Sequence, residues 1–211
     1  MNNLLIVEGK SDKYIIENLI KHIGLKNVEV GKPVCNIDKC EDLGGTGELD
    51  KKLTAIKKRV RKEYIKKIGI IFDADSIGIE KQTNNIKKII SSVFNESLNV
   101  EFCIHIINVN GFGELEDLLR NITAFKPNMA NCLDSWQECL NDQKLTDKEF
   151  NKLWIQVYEK YDCCTKEEQE NMKDNCNKKK LLEDKKVYKF DADIKELEEL
   201  KKFLQEFGEE E

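Results

Sequence analysis

Two rhythms of apolar residues alternate along the first half of the chain. Asn3 to Val7 carries the continuous run Leu4-Leu5-Ile6-Val7, which ends abruptly at Glu8-Gly9. A short unbroken apolar run bounded by a turn signal reads as a strand buried on both faces. Ile15, Ile16, Leu19, Ile20 and Ile23 follow at the three-to-four spacing of an amphipathic helix, with Ser11 placed to cap it. A weaker strand is predicted around Val28 to Val34. Leu43-Gly44-Gly45-Thr46-Gly47 reads as a turn by composition. Leu49, Leu53, Ile56, Val60 and Tyr64 return to the helical spacing. Ile68 to Phe72 is again a buried strand and leads into Asp73-Ala74-Asp75. A helix marked by Ile86, Ile89, Ile90, Val93 and Phe94 and a β-branched strand over Val100 to Val109 complete the pattern. Strands alternating with helices predict an α/β fold whose mostly parallel sheet carries helices on both faces.

After Gly113 the rhythm changes. Glu114 to Leu119 predicts a short helix. Residues 126–185 are polar and cysteine-bearing, helical where periodic, with the clearest stripe at Phe150, Leu153, Trp154, Val157, Tyr158 and Tyr161. That stripe is expected to be core packing rather than a base-stacking surface. Leu197, Leu200, Leu204 and Phe207 share one face of a last helix. The organisation expected is a core over 1–125, a helical insertion over 126–185, and a C-terminal helix within 186–211 that packs back on the core.

Charge changes the picture locally more than globally. The formal balance is 35 basic against 40 acidic residues, or −5, which argues against indiscriminate coating of duplex nucleic acid. Yet residues 51–67 hold nine Lys or Arg and a single acid, Glu63, while residues 191–211 hold nine acids and three lysines. A basic helix face on an acidic protein results. No apolar stretch approaches the roughly 20 residues of a membrane span, and no basic-then-apolar leader opens the sequence. A cytoplasmic protein with no membrane partner is expected, and its eight cysteines, which include no C-x-x-C pair, are expected to be reduced thiols rather than zinc ligands.

The candidate chemistry lies at the strand ends. In an open parallel sheet, ligands bind outside the carboxyl ends of the strands. Strand one ends at Glu8, and strand three ends at Asp73 and Asp75, 65 residues further on. Alternate carboxylates past a strand end can reach one hard cation, and a third from a neighbouring strand completes a partial shell open to water and phosphate oxygens. Magnesium suits such a site, because it keeps several of its waters. The Gly44-Gly45-Thr46-Gly47 loop, ahead of a helix, could hold a phosphate on its backbone N–H groups. Lys51, Lys52, Lys58, Arg59 and Arg61 on the adjoining helix would continue a backbone track. Gly9-Lys10-Ser11 is not a phosphate-binding P-loop, since position 4 is Leu rather than Gly.

Leu4-Leu5-Ile6-Val7-Glu8-Gly9-Lys10-Ser11-Asp12 together with Ile70-Ile71-Phe72-Asp73-Ala74-Asp75 resembles the Toprim domain over roughly the first half of the chain. Topoisomerases, bacterial primases, ribosomal-RNA maturation nucleases and OLD-family nucleases share that domain. Gly113 to Leu119 and the acidic last helix resemble a small stand-alone, DUF-type Toprim-like family related to OLD. The resemblance implies a Rossmann-like Toprim core and a general acid–base role for Glu8, with Asp73 and Asp75 as ligands to Mg2+ or Mn2+. It also implies one or two ions, the second served by Asp12 or Glu116. Lys10, next to Glu8, is a candidate for contact with the scissile phosphate.

Primase accessory modules are missing, and the length leaves no room for strand passage. The resemblance therefore points to a metal-dependent nuclease on RNA or DNA. The competing expectation is a catalytically idle module that binds nucleic acid or a partner ATPase, as in phage defence. A primase fragment ranks last, and a homo-oligomer is compatible with each.

Overall fold

The computed structural model describes residues 3–34, 44–63, 65–94, 100–170 and 178–209. In chain order the elements are β1 (Asn3–Val7), α1 (Lys10–Ile23), β2 (Val28–Val30), α2 (Gly44–Glu63), β3 (Lys67–Asp73), α3 (Ile79–Val93), β4 (Glu101–Ile107), α4 (Leu115–Asn121), α5 (Cys132–Cys139), α6 (Asp147–Val157), α7 (Lys166–Glu170), α8 (Lys178–Asp184) and α9 (Lys195–Gly208). The chain divides into two units, one formed by Met1–Gly113 with Ile194–Glu211 and the other by Glu114–Asp193.

The first unit is an α/β sandwich of layers. Its sheet has the order β2-β1-β3-β4, and every pair is parallel. Alternation along the strands divides the apolar residues between the faces. Leu4, Ile6, Ile68, Ile70 and Phe72 meet Leu49, Leu53, Ile56 and Val60 of α2 and Ile86 and Val93 of α3 in one cluster. The opposite face carries α1 and α9. There Gly69 is required by close approach. A Cβ on it would stand 2.5 Å from Leu5 Cδ1 and 3.0 Å from the Phe207 ring. His105 of β4 lies against Phe203 of α9, with ring centroids 5.1 Å apart.

Three polar side chains buried in this unit, Asn3 and Asn108 at strand ends and Gln82 on α3, each satisfy a backbone carbonyl. Asn3 Nδ2 donates to Phe207 O at 2.6 Å, Gln82 Nε2 to Asp73 O at 3.1 Å, and Asn108 Nδ2 to Ile106 O at 3.1 Å.

Three details depart from the sequence expectation. Helix α1 begins at Lys10 and is capped at Gly9, not at Ser11, because Asp12 turns back to accept the Gly9 N–H at 2.6 Å. That bond is the half of a capping box that runs from the third helical residue back to the N–H of the cap residue. Gly44, Gly45, Thr46 and Gly47 form the first turn of α2 rather than a loop ahead of it. Glycine lowers helix propensity without forbidding a first turn. Cys164 is disulfide-bonded, whereas Cys103, Cys132, Cys139 and Cys163 are free thiols. Cys35, Cys40 and Cys176 lie outside the described residues.

The second unit is helical. Helix α6 packs on α4 and continues into a wider π turn over Tyr158–Asp162. A polar skeleton runs through it. Tyr158 OH donates to Val187 O at 2.8 Å and accepts from Ala124 N at 3.1 Å and Phe125 N at 3.0 Å. Tyr188 OH donates to the buried Glu159 at 2.8 Å, and Lys178 reaches the same carboxylate at 3.1 Å. Among the described residues no helix is long and apolar enough to cross a membrane.

Candidate functional site

The order β2-β1-β3-β4 contains a reversal. The chain goes outward from β1 to β2, then returns past β1 to lay down β3 and β4. A crevice opens at such a switch point, outside the carboxyl ends of the two strands on either side of it. Here those strands are β1 and β3. Their parallel register pairs Val7 with Ile71, so the next step up sets Glu8 level with Phe72 and one residue from Asp73. Strand spacing and rise then put the Glu8 and Asp73 backbones about 6 Å apart. Both side chains are part-buried, and Glu8 keeps one carboxylate oxygen, Oε2, out of solvent.

The Asp73-Ala74-Asp75 segment is fixed by hydrogen bonds on each side. Ala74 N donates to Ile107 O at 2.8 Å. Asp75 exchanges two backbone bonds with Gly113, its N–H to Gly113 O at 2.9 Å and its carbonyl from Gly113 N at 3.0 Å. Asp75 itself holds a left-handed φ of 48°, a conformation that Asp tolerates better than most residues. The return to Gly113 is made by a tight turn from Val109 to Phe112, in which Asn110 and Gly111 have φ of 54° and 92°. Asn-Gly is the pair that such a turn prefers.

Glu114 follows Gly113 directly and caps α4, its N–H donating to Asp117 Oδ2 at 2.8 Å. It is buried and ion-paired within its own unit to Lys148 at 2.6 Å and Lys152 at 3.6 Å. Glu116, two residues on, is part-buried on α4 and belongs to the same unit as Glu114. Sequence reasoning singles out Asp73 and Glu116 and passes over Glu114. The signal for it is the apolar triplet Leu115, Leu118 and Leu119, which marks Glu114 as the residue before a buried helix face. Glu8 and Asp75 share the sheet edge with Asp73.

The other predicted residues fall out as follows. Asp12 spends one oxygen on the Gly9 N–H, which gives its carboxylate a capping role. Lys10 is exposed, with its ammonium 5.9 Å from the Tyr14 ring centroid. On α2, Lys51 pairs with Glu48 at 2.7 Å and Arg59 with Glu63 at 2.7 Å, while Lys58 is exposed. Lys52 is part-buried. The backbone of Gly44, Gly45 and Thr46 lies in the first turn of α2, and the side chains of Thr46 and Arg61 lie outside what the structure describes.

A family model described as protein of unknown function (DUF3226) matches residues 2–209. The chain belongs to the DUF3226 family. No curated protein and no solved structure matches this DUF3226 chain.

Proposed function

We propose that this DUF3226 protein is a metal-dependent phosphodiesterase, a nuclease of RNA or DNA built on a Toprim-type acidic edge. The observation that carries the reading is the position of the acids. Glu8 and Asp73 terminate the two adjacent parallel strands that flank the switch point, where open α/β sheets take their ligands.

Asp73, with Asp75 as the neighbouring candidate, fits a hard divalent cation such as Mg2+ or Mn2+, since both offer carboxylate oxygens. When bound, such an ion lowers the pKa of a water and polarises a phosphoryl oxygen. The work left to the chain is positioning and proton transfer. Asp73 is held by the β3 ladder and by Gln82 on its carbonyl, which fixes where its carboxylate begins. Glu8 stands on the next strand, within side-chain reach of the same space. Its short carboxylate suits it to take a proton from an attacking water or return one to a leaving oxygen.

A second reading, an idle module that binds nucleic acid or a partner ATPase, is favoured by one observation. Asp12 spends a carboxylate oxygen on the Gly9 N–H, which counts against it as a ligand to a second ion.

Incubation of labelled RNA and DNA with the protein in Mn2+ or Mg2+ separates the two. The nuclease reading expects cleavage that chelation abolishes and that Asp73→Asn lowers by more than about a hundredfold, a loss at least as large as removing a group that only supports a metal ligand. Glu8→Gln should lower cleavage while leaving Mn2+ affinity, read by calorimetry, nearly intact. Absence of cleavage on every substrate, with Mn2+ bound, would establish the idle module instead.

A further inference from the structure

The carboxyl edge of the sheet has a basic counterpart to its acids, one strand further out. Lys13 of α1 reaches over the end of β2, where its Nζ donates to Val30 O at 3.0 Å and Gly31 O at 3.3 Å. Lys32 is the next residue, exposed, on a segment that continues alongside β1 as far as a bond from Val34 N to Val7 O at 3.0 Å. Helix α2 joins two parallel strands, so it runs against them and starts at their carboxyl edge. Its C-terminal part is anchored beside β2 by Arg59, whose Nη2 lies 3.8 Å from Glu29 Oε1. Lys52 is two helical turns nearer the start of α2, about 10 Å closer to that edge. Three ammonium groups from three elements therefore converge where β2 ends, next to the strand that ends in Glu8.

Arg59 is balanced by Glu63 and Glu29, and Lys13 has Glu17 at 3.5 Å. Among the described residues Lys32 and Lys52 have no ion pair. The Lys52 ammonium is held below its ordinary pKa, first by burial and then by the charges of Lys32, Arg59 and Lys13. Like charges gathered with too few counter-charges are a standing repulsion, and an anion seated among them relieves it.

We propose that Lys13, Lys32 and Lys52 form a seat for a phosphate of the nucleic-acid backbone, beside the acids that end β1 and β3. The proposal rests on the nuclease reading for its ligand and extends it, since Lys13 and Lys32 stand outside the α2 track read from the sequence. Lys13 is positioned by the β2 carbonyls, whereas Lys32 and Lys52 carry the ammonium protons that the ligand takes. Simple ammonium groups bind phosphate as point charges, so the seat grips the backbone without reading the base.

Binding of a short fluorescent oligonucleotide in EDTA tests the seat without any metal or cleavage. Wild type should bind, with affinity falling as salt rises. Lys32→Ala combined with Lys52→Ala should weaken binding about tenfold or more and flatten the salt dependence by between one and two counterions. Lys87→Ala with Lys88→Ala, an exposed pair on α3, should change neither. A 5′-phosphorylated oligonucleotide bound more tightly than its 5′-hydroxyl form would identify the ligand as a terminal phosphate, and equal binding as an internal one. NMR titration should show the Lys52 pKa rising when inorganic pyrophosphate is added, and also in Lys32→Ala.

A double variant that binds like wild type, or a Lys52 ammonium indifferent to pyrophosphate, would overturn the seat even if the enzyme cleaves. Binding that depends on these lysines without any cleavage would uphold the seat and count against the nuclease.

Discussion

The two units bury different kinds of group. Under α2 and α3, the sheet unit buries an apolar cluster, and its few buried polar side chains, Asn3, Gln82 and Asn108, bond to backbone carbonyls. The unit of Glu114–Asp193 places polar groups in its interior. Asn151, Glu159 and the hydroxyl of Tyr158 are buried there. Asn151 accepts from Arg120 and donates to Asp117 Oδ1 at 2.5 Å, while Arg120 stacks 4.8 Å from the Trp154 ring centroid. Apolar burial is non-directional and tolerates small errors of register, whereas a buried polar skeleton is stable only when each member finds its partner. The first unit should therefore lose most from a cavity, and the second from a missing hydrogen bond.

The largest expected effect lies in the sheet unit. Leu53 is fully buried between α2 and the sheet. Leu53→Ala should destabilise by about 2–5 kcal/mol, the transfer cost of the lost atoms plus the cavity. Urea unfolding checks this. A loss under about 1 kcal/mol would mean that α2 collapses into the gap and that the cluster is not closely packed.

Next comes a pH dependence that belongs to the same unit. Burial against α9 pushes the His105 imidazole from 6.5 down to about 4, so the folded state keeps it neutral. Between those values the unfolded chain binds the extra proton and the folded one does not. The neutral form is thus at no disadvantage above pH 6.5, and stability falls as pH drops from about 6.5 towards 4, by at most about 3 kcal/mol. Carboxylates titrate nearby, so the test is a difference. His105→Leu should be flatter than wild type across that window, and parallel curves would show that His105 titrates normally.

This contrast also decides what could be read before any coordinates. Leu4 to Val7 and Ile68 to Phe72 announce buried strands, and Ile15 through Ile23 a helix face, because burying apolar surface leaves a period in the sequence. The parallel α/β class followed from those runs. A capping bond leaves no period. Asp12 rather than Ser11 satisfies the start of α1, and three glycines enter the first turn of α2, both through local backbone chemistry that composition hides. At the acidic edge, Glu8 and Asp73 were legible because strand ends are. In the other unit the lysine partners of Glu114 were not legible, since they lie more than thirty residues away. Within Glu114–Asp193 the stripe from Phe150 to Tyr161 was visible, but the partners of Tyr158 and Glu159 were not. They are backbone carbonyls and amides and a distant tyrosine, which no spacing encodes.

The smallest of these effects is also the sharpest test of the contrast, since it removes a single atom. Tyr158→Phe keeps the ring, which stacks on Trp154 at 5.6 Å, and deletes only the hydroxyl. Val187 O would keep the Ala124 N–H, which it already accepts at 2.9 Å, whereas Phe125 N–H would lose its acceptor. Leaving one part-buried amide without its acceptor costs at most about 1 kcal/mol, the lower end of the range for a buried group, and the ring's own packing is unchanged. Hydrogen exchange should localise the loss. The Phe125 amide should exchange faster by about tenfold or more, while Ala124, with its second acceptor, slows or holds far closer to wild type. Equal acceleration at both amides would mean that the hydroxyl supports the whole strand pairing from Thr123 to Tyr188. No change at either would mean that the interior of this unit, like that of the sheet, is held by apolar contact alone.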